Sequence, residues 1–177
     1  MLKKQNLPLN LTKRHKVKVM VLKIFLFFLL SVAISCSSIR RDIYKISPVG
    51  LIKKRDNATT IEIDKKYEDA LVGLNEFSHV LVFYWFHEND TPEQRKVLMV
   101  YPRGNPQNPL QGVFATRAPT RPNLIGISLC KILLIKGTTI RIDTIDAFDG
   151  SPVIDLKPYI PSIDSVVSAQ VPEWLQG

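Results

Sequence analysis

Three short segments of the sequence concentrate the side chains that could do chemistry. Each joins polar or charged residues to the Gly and Pro that fix a loop backbone. In chain order they are 86–89 with His87 and Glu88, 115–126 with Arg117, Arg121 and Asn123, and 146–159 with Asp149-Gly150-Ser151-Pro152. Histidine, carboxylate and guanidinium groups can bind ions or exchange protons. These segments are therefore the candidates for a functional site.

Each segment also has a purely structural explanation. The histidine could cap a strand end, and the two arginines could be solubilising surface charges. The Asp-Gly-Ser-Pro sequence is that of an ordinary turn, and Asp155 could pair with Lys157 at a solvated rim. Residue types alone leave both interpretations open.

Several common kinds of active site are excluded by their missing motifs. The sequence contains no GxGxxG, P-loop, HExxH or GxSxG pattern, which argues against a Rossmann methyltransferase and against a hydrolase. His79 and His87 are eight residues apart in a strand-like run, so they stand roughly 26 Å apart and cannot share a metal. Cys130 lies in an apolar run and is better explained as a packing residue than as a nucleophile. No metal site is predicted.

The elements that must position these segments are strands. Apolar or alternating runs separated by Gly, Pro and Asn predict strands over 60–63, 80–86, 97–101, 112–116, 127–135 and 139–145. Lys136-Gly137 predicts a tight hairpin turn, and the one helical window is short, Lys65 to Leu74. The pattern predicts an all-β protein, a single small closed or nearly closed β-barrel.

The first 35 residues differ from the rest of the chain. They hold seven of the 24 Lys and Arg residues and none of the 16 Asp and Glu residues, so the remainder is nearly neutral and its net charge gives no argument for an RNA partner. The uncharged run 24–34 would span roughly 16 Å as a helix, too short for an ordinary transmembrane segment. It predicts an export signal, with Cys36 as a lipidated residue. A start at Met20 would leave Lys23 as the charge of this signal, and the alternative to export is a mis-assigned start followed by an apolar leader.

The chain is thus divided into a basic and apolar signal segment (1–35), a linker after Cys36 (36–45), the barrel (46–160) and a C-terminal tail (161–177). Trp174 in that tail is expected to dock on the barrel.

The three segments together resemble one family. The blocks 73–79, 84–87, 112–126 and 146–159 are similar, in order, to the TsaA-like (TrmO) family, from Ile46 to Tyr159. The most specific are Ala-Thr-Arg…Arg-Pro-Asn…Ile-Gly and Asp-Gly-Ser-Pro-Val…Asp-Leu-Lys-Pro-Tyr.

The resemblance implies a compact barrel, commonly homodimeric, that binds S-adenosylmethionine without a Rossmann fold and methylates N6 of threonylcarbamoyladenosine beside the tRNA anticodon. The cofactor-facing candidates carried over by position are His87, Glu88, Arg117, Ile127, Asp149, Gly150, Ser151, Pro152 and Val153. The substrate-side candidates are Arg121, Asn123, Asp155, Lys157 and Tyr159. A group that accepts a hydrogen bond from the N–H of the reacting nitrogen would be catalytic. The candidates for this group are Asn123 and Asp149.

Two features depart from that family. Only Arg55–Thr59 lies between the segment 50–54 and the predicted strand 60–63, where many members have a longer loop over the cofactor. The signal segment supports a different hypothesis, an exported lipoprotein anchored to a membrane through Cys36, which uses the barrel as a binding module or on a substrate other than tRNA. A mis-assigned start would instead leave the protein cytoplasmic.

Overall fold

The computed structural model describes residues 43–175. The signal segment and Cys36 lie outside these residues, so export, lipidation and membrane anchoring stay predictions. The chain divides into two units, Met1–Tyr44 and Lys45–Gly177, and the second contains every described strand.

Most of the second unit is β-structure. The strands are β1 Gly50–Arg55, β2 Ala58–Ile63, β3 His79–Trp85, β4 Met99–Val100, β5 Gln111–Gly112, β6 Ile125–Lys136, β7 Thr139–Ile142 and β8 Pro152–Pro158. Single-turn α-helices cover Pro92–Lys96 and Pro161–Asp164, and 3₁₀ turns cover Lys65–Leu71, Leu74–Glu76, His87–Asn89, Pro102–Gly104, Val113–Ala115 and Glu173–Leu175. Within the described part of the chain, no helix is long and apolar enough to cross a bilayer.

Six of these strands close into an antiparallel barrel in the order β1-β2-β7-β6-β3-β8. The barrel closes where β1 pairs with β8 through Gly50↔Val153 and Leu51↔Pro152. Strands β4 and β5 form a separate two-stranded ribbon. The prediction of an all-β closed barrel is confirmed.

The barrel interior is filled by the inward-pointing residues of alternating strands. Val80, Val82 and Tyr84 of β3 are buried, while the side chains between them are half-exposed. The other strands supply the remaining core residues, which are mainly Ile52, Ile61, Cys130, Ile140, Ile142 and Val153. Each fully buried aliphatic side chain stabilises the fold by roughly 1.5–3 kcal/mol, so this core holds the barrel together. Cys130 is a packing residue, as predicted, and burial raises the pKa of its thiol to about 12.

Two barrel strands were missed by the sequence pattern. β1 carries three consecutive basic residues, and only Gly50 and Ile52 of it are buried, so its alternation is faint. β8 was interpreted as part of the third polar segment because it begins and ends with proline and contains Asp155 and Lys157. β8 is stabilised by pairing with β1 and β3, which are distant in the chain, and a local pattern does not record such pairing.

Three other predictions were wrong in length or type. The strand expected over 112–116 is a 3₁₀ turn after the two-residue strand β5, and the strand expected over 97–101 contains only Met99–Val100. The helical window is a 3₁₀ segment, Lys65–Leu71, followed after Gly73 by a second turn. A segment this short gains little from α-helical propagation, so its conformation is set by packing of Leu71 and Leu74 on the core.

Two hairpin turns of the barrel are tight, and the sequence predicted the one at Lys136-Gly137. β1 and β2 are joined by Asp56 and Asn57 alone, with φ of 48° and 60°. Two consecutive left-handed residues define a type I′ turn, for which Asp and Asn are well suited. The β6–β7 hairpin is also confirmed, with Lys136 paired to Thr139.

Gly126 marks a close approach of strand β6 to two aromatic rings. A Cβ at this position would lie 2.6 Å from ring atoms of Tyr84 and 2.9 Å from Phe86. Because these rings are packed against the core, they have little freedom to move away.

Replacing Gly126 by alanine is therefore expected to lower the free energy of unfolding by roughly 1–3 kcal/mol, as overpacking does elsewhere. Urea denaturation checks this. Gly112→Ala is the matched control, because a Cβ there has its nearest neighbour, the Leu98 carbonyl oxygen, at 4.0 Å. Equal midpoints for the two variants would contradict the prediction.

Candidate functional site

The turn from Asp149 to Ser151 is held against strand β1. The Gly150 N–H donates to the Ile52 carbonyl at 2.8 Å, and the Ile52 N–H donates to the Ser151 carbonyl at 2.9 Å. These bonds extend the β1–β8 pairing beyond the strand ends. The turn is therefore part of the barrel rim rather than a mobile loop.

Asp149 is exposed but fixed by a backbone bond. The Lys54 N–H donates to its Oδ1 at 2.8 Å. That bond, helped by the charges of Lys53 and Arg55 and by the Gly150 N–H, holds the pKa of Asp149 below its usual value. Asp149 is thus a stable carboxylate that accepts hydrogen bonds, and it is a weak proton acceptor at neutral pH.

His87 meets this turn from the other side. It follows β3 directly, and its Nδ1 lies 3.3 Å from the Ser151 Oγ. Its Nε2 lies 3.3 Å from the Glu88 Oε1. Ser151 is 2% exposed, so the imidazole is oriented by one buried hydroxyl and one exposed carboxylate. The structure thus brings His87, Glu88 and the 149–151 turn together.

Arg117 lies in a different part of the rim, in a cavity of about 790 Å³ that it lines together with Asp146. The Tyr84 hydroxyl donates to the Asp146 carbonyl oxygen. Burial raises the pKa of Tyr84, and the nearby Arg117 charge opposes this. Tyr84 therefore lies between the barrel core and the cavity, and Asp146 begins the loop that leads to the 149–151 turn.

The loop that carries Arg117 is braced by its neighbours. The Arg121 Nη1 donates to the carbonyls of Ala118 at 3.3 Å and Thr116 at 3.5 Å. The Thr120 hydroxyl donates to the Gln94 Oε1 at 2.8 Å. Arg121 therefore shapes this loop, and its contact with substrate stays a prediction.

A second brace comes from the short helix Pro92–Lys96. The Arg95 Nη1 donates to the Pro122 carbonyl at 3.1 Å, and its Nε contacts Asp90 Oδ1 at 2.8 Å. Asp90 also accepts from the Trp85 indole at 2.9 Å. These contacts tie the Arg117 loop to the end of β3. No sequence motif indicated these contacts, because each one joins residues that come together only in the folded structure.

The remaining cofactor candidates lie in strands. Ile127 is in β6, opposite Phe83, and is 38% exposed. Val153 is fully buried, and its carbonyl accepts the Val49 N–H at 2.7 Å. Pro152 pairs with Leu51 at the barrel closure. The side chain of Val153 therefore packs in the core, and Val153 can affect a ligand only by fixing the preceding turn.

The substrate-side candidates do not all converge. Asn123 is exposed at the start of β6, where its carbonyl accepts the Ile125 N–H at 2.8 Å. Asp155 pairs with Lys157 at 2.9 Å and lines a separate cavity of about 370 Å³. Tyr159 packs edge-on against His79. Their substrate roles stay predictions.

Comparison with known proteins agrees with this geometry. Residues 46–165 match the model of the tRNA-methyltransferase O N-terminal domain. A probable S-adenosyl-L-methionine-binding protein of Methanocaldococcus jannaschii is 44% identical over 121 residues, which cover 68% of this chain and 96% of that protein. A probable S-adenosyl-L-methionine-binding protein of Pyrococcus horikoshii is 48% identical over 116 residues, covering 66% and 82%.

More distant matches include named methyltransferases. The mouse tRNA (adenine(37)-N6)-methyltransferase is 43% identical over 98 residues, which are 55% of this chain but 22% of that protein. A crystal structure of TrmO from P. aeruginosa is similar with a TM-score of 0.61 and 27% identity, and the match covers 77% of this chain and 64% of that one. The family resemblance read from the motifs is confirmed, and the chain belongs to the tRNA-methyltransferase O N-terminal domain family.

Proposed function

We propose that this chain is an S-adenosylmethionine-dependent methyltransferase that acts on the N6 nitrogen of an adenine in tRNA. The observation that carries the proposal is the convergence of His87, Glu88 and the 149–151 turn at one rim of the barrel. The names of the similar proteins from M. jannaschii and mouse support the cofactor and the reaction. N6-threonylcarbamoyladenosine is the proposed form of the target base.

The side chains at the rim fit the chemistry of the cofactor. S-adenosylmethionine carries a carboxylate, an ammonium group, a ribose diol, an adenine and a sulfonium, so a site for it needs both charges and neutral hydrogen-bonding groups. Arg117 offers an exposed guanidinium for a carboxylate, while Glu88 and Asp149 offer carboxylates for an ammonium or a diol. The buried Ser151 hydroxyl holds the imidazole that faces them. The bound cofactor would supply an electrophilic methyl group.

The contribution of the protein to the reaction is mainly positioning. The rim elements are rigid, because the turn is bonded to β1 and the Arg117 loop is braced by Arg121 and Arg95. A fixed approach of nucleophile to electrophile supplies much of the rate of a transfer reaction. A reaction that depends on positioning needs few groups that transfer protons, and the rim has few such groups at neutral pH.

Asp149 is proposed to orient the nucleophile. The lone pair of an adenine N6 is delocalised into the ring, so a hydrogen-bond acceptor on its N–H would raise its reactivity. The lowered pKa keeps Asp149 ionised at neutral pH, so its carboxylate oxygens act as acceptors. Its Oδ1 accepts the Lys54 N–H, which leaves Oδ2 to face a ligand.

The proposed activity is tested with the purified full chain, S-adenosylmethionine and tRNA that contains N6-threonylcarbamoyladenosine. Mass spectrometry of the nucleosides should show one added methyl group on that base. A characterised TrmO assayed in parallel controls the tRNA preparation. If that enzyme methylates the tRNA and this chain does not, the proposed function is wrong.

Arg117→Ala is expected to weaken binding of S-adenosylmethionine about ten- to a hundred-fold, because a charge-assisted contact contributes roughly 1.5–3 kcal/mol. Isothermal titration calorimetry measures this directly. Arg141→Ala, which removes an exposed arginine from β7, is the matched control. Equal affinities for the wild type and Arg117→Ala would show that Arg117 does not hold the cofactor.

The lowered pKa of Asp149 predicts a pH dependence of stability. A carboxylate whose pKa is lower in the folded state stabilises the protein above its unfolded pKa, near 4, and this contribution is lost as pH falls through the folded value. Asp149→Asn should therefore narrow the difference between the urea midpoints at pH 7 and pH 3. Glu62→Gln, on the exposed face of β2, controls for general loss of negative charge. An unchanged difference in Asp149→Asn would contradict the prediction.

A further inference from the structure

Three aromatic side chains from separate parts of the chain line the cavity that contains Arg117. Tyr101 follows β4, Phe114 lies in the turn after β5, and Trp174 lies in the last 3₁₀ turn, Glu173–Leu175. Tyr101 is 47% exposed and Phe114 is 81% exposed. Aromatic faces left open to solvent around a concavity are suited to stacking on a planar ligand.

The charged residues of this cavity favour an anionic ligand. The charged residues that line the cavity are Arg103, Arg117 and Asp146, which give two positive charges and one negative charge. Arg103 has a φ of 59°, a left-handed conformation that is uncommon for a residue with a side chain, and it follows the buried Pro102. Arg103 is exposed, and its backbone conformation places it at the cavity edge. Arginines next to open aromatic rings are typical of sites for single-stranded nucleic acid.

The cavity adjoins the proposed cofactor residues without coinciding with them. Arg117 is the one residue of that set among those lining the cavity, and His87, Glu88 and the 149–151 turn lie elsewhere on the rim. The remaining walls are therefore available to a second ligand. An adenine that is methylated on N6 must leave its base stack to reach an enzyme site, and it then needs a stacking partner.

Trp174 comes from outside the part of the chain that matches the family model, which ends at residue 165. The C-terminal tail, including Leu175, still returns to this cavity and forms one of its walls. Trp174 is half-buried there, so one part of its indole remains accessible. The tail thus adds an aromatic surface that the family domain by itself does not contain.

We infer that this cavity receives an unstacked base of the RNA substrate, that Trp174 stacks on that base, and that Arg103 contacts the adjoining phosphate. The inference rests on the proposed function, because it names the place of the substrate relative to the cofactor residues. It assigns Trp174 and Arg103 to substrate binding and leaves cofactor binding to Arg117 and to the rim around His87.

Tryptophan fluorescence of the full chain tests the inference without requiring turnover. A synthetic anticodon stem-loop RNA should quench the emission of the wild type. Trp174→Phe should lose most of the quenching, since the remaining Trp85 is bonded to Asp90 away from the cavity lining. Undiminished quenching in Trp174→Phe would overturn the assignment.

Affinity for the same RNA gives a second readout. Trp174→Ala should bind the stem-loop roughly five- to 150-fold more weakly, and Trp174→Phe should retain most of the affinity because its ring can still stack. Arg103→Ala should reduce the slope of log affinity against log salt concentration by about one, because about one counterion fewer is released on binding. Val167→Ala, fully exposed in the same tail, is the control for disturbing the tail. Wild-type RNA affinity in Trp174→Ala would overturn the inference.

The inference and the proposed function fail in different ways. If the wild type methylates tRNA, but RNA does not quench Trp174 fluorescence and Trp174→Ala binds RNA as tightly as the wild type, the inference alone is wrong. If the RNA quenches Trp174 but no methyl group is transferred, the cavity binds RNA and the proposed reaction is wrong. S-adenosylmethionine affinity, measured by calorimetry, should be the same in the wild type and Trp174→Ala.

Discussion

The site depends on the closure of the barrel between β1 and β8. Gly50 pairs with Val153 there, and it also pairs with Ile63 of β2. A Cβ on Gly50 would lie 2.3 Å from the Glu62 carbonyl oxygen, so only glycine allows β1 to lie this close to β2 at the position where it also meets β8. The same pairing continues through Ile52 into the 149–151 turn. The same run of β1–β8 hydrogen bonds therefore closes the barrel and places the turn beside His87. A barrel opened between β1 and β8 would lose both its packed core and the arrangement of the candidate site.

The candidate site residues lie on two sides of the rim. His87 and the 149–151 turn form one side, where the imidazole and the Asp149 carboxylate each have a buried or backbone partner. Arg117 lies on the other side, in an open cavity with exposed rings. The loop from Asp146 joins them, and the Tyr84 hydroxyl fixes the start of that loop. The proposed cofactor would therefore contact both sides, and the exposed rings beside Arg117 leave room for part of a larger ligand.

The sequence predicted the fold class because the inward residues of β3, β6 and β7 form strong patterns, such as the apolar run that contains Val80 and Val82. β1 was missed because its three consecutive basic residues hide the alternation, and β8 was missed because it pairs with β1 and β3, which are distant in the chain. Residue types singled out the three polar segments, and the resemblance to the family assigned His87 and the 149–151 turn to the cofactor. The bonds from Arg121 to carbonyls a few residues away depend on the loop conformation, so the sequence did not indicate them. Trp174 was expected to dock, but nothing local indicated which side of the rim it would reach.

The two-residue turn at Asp56 and Asn57 has a consequence for how this barrel can vary. The ladder between β1 and β2 is complete up to Arg55↔Ala58, so residues added between these two positions would lengthen the tip without shifting the register of either strand. The entropic penalty of a longer tip grows only with the logarithm of its length. The hairpin tip is therefore a natural point of insertion, where a loop can be grafted or shortened while the interior packing stays intact. Relatives that differ at this tip would share one scaffold and differ in how far the ligand is enclosed.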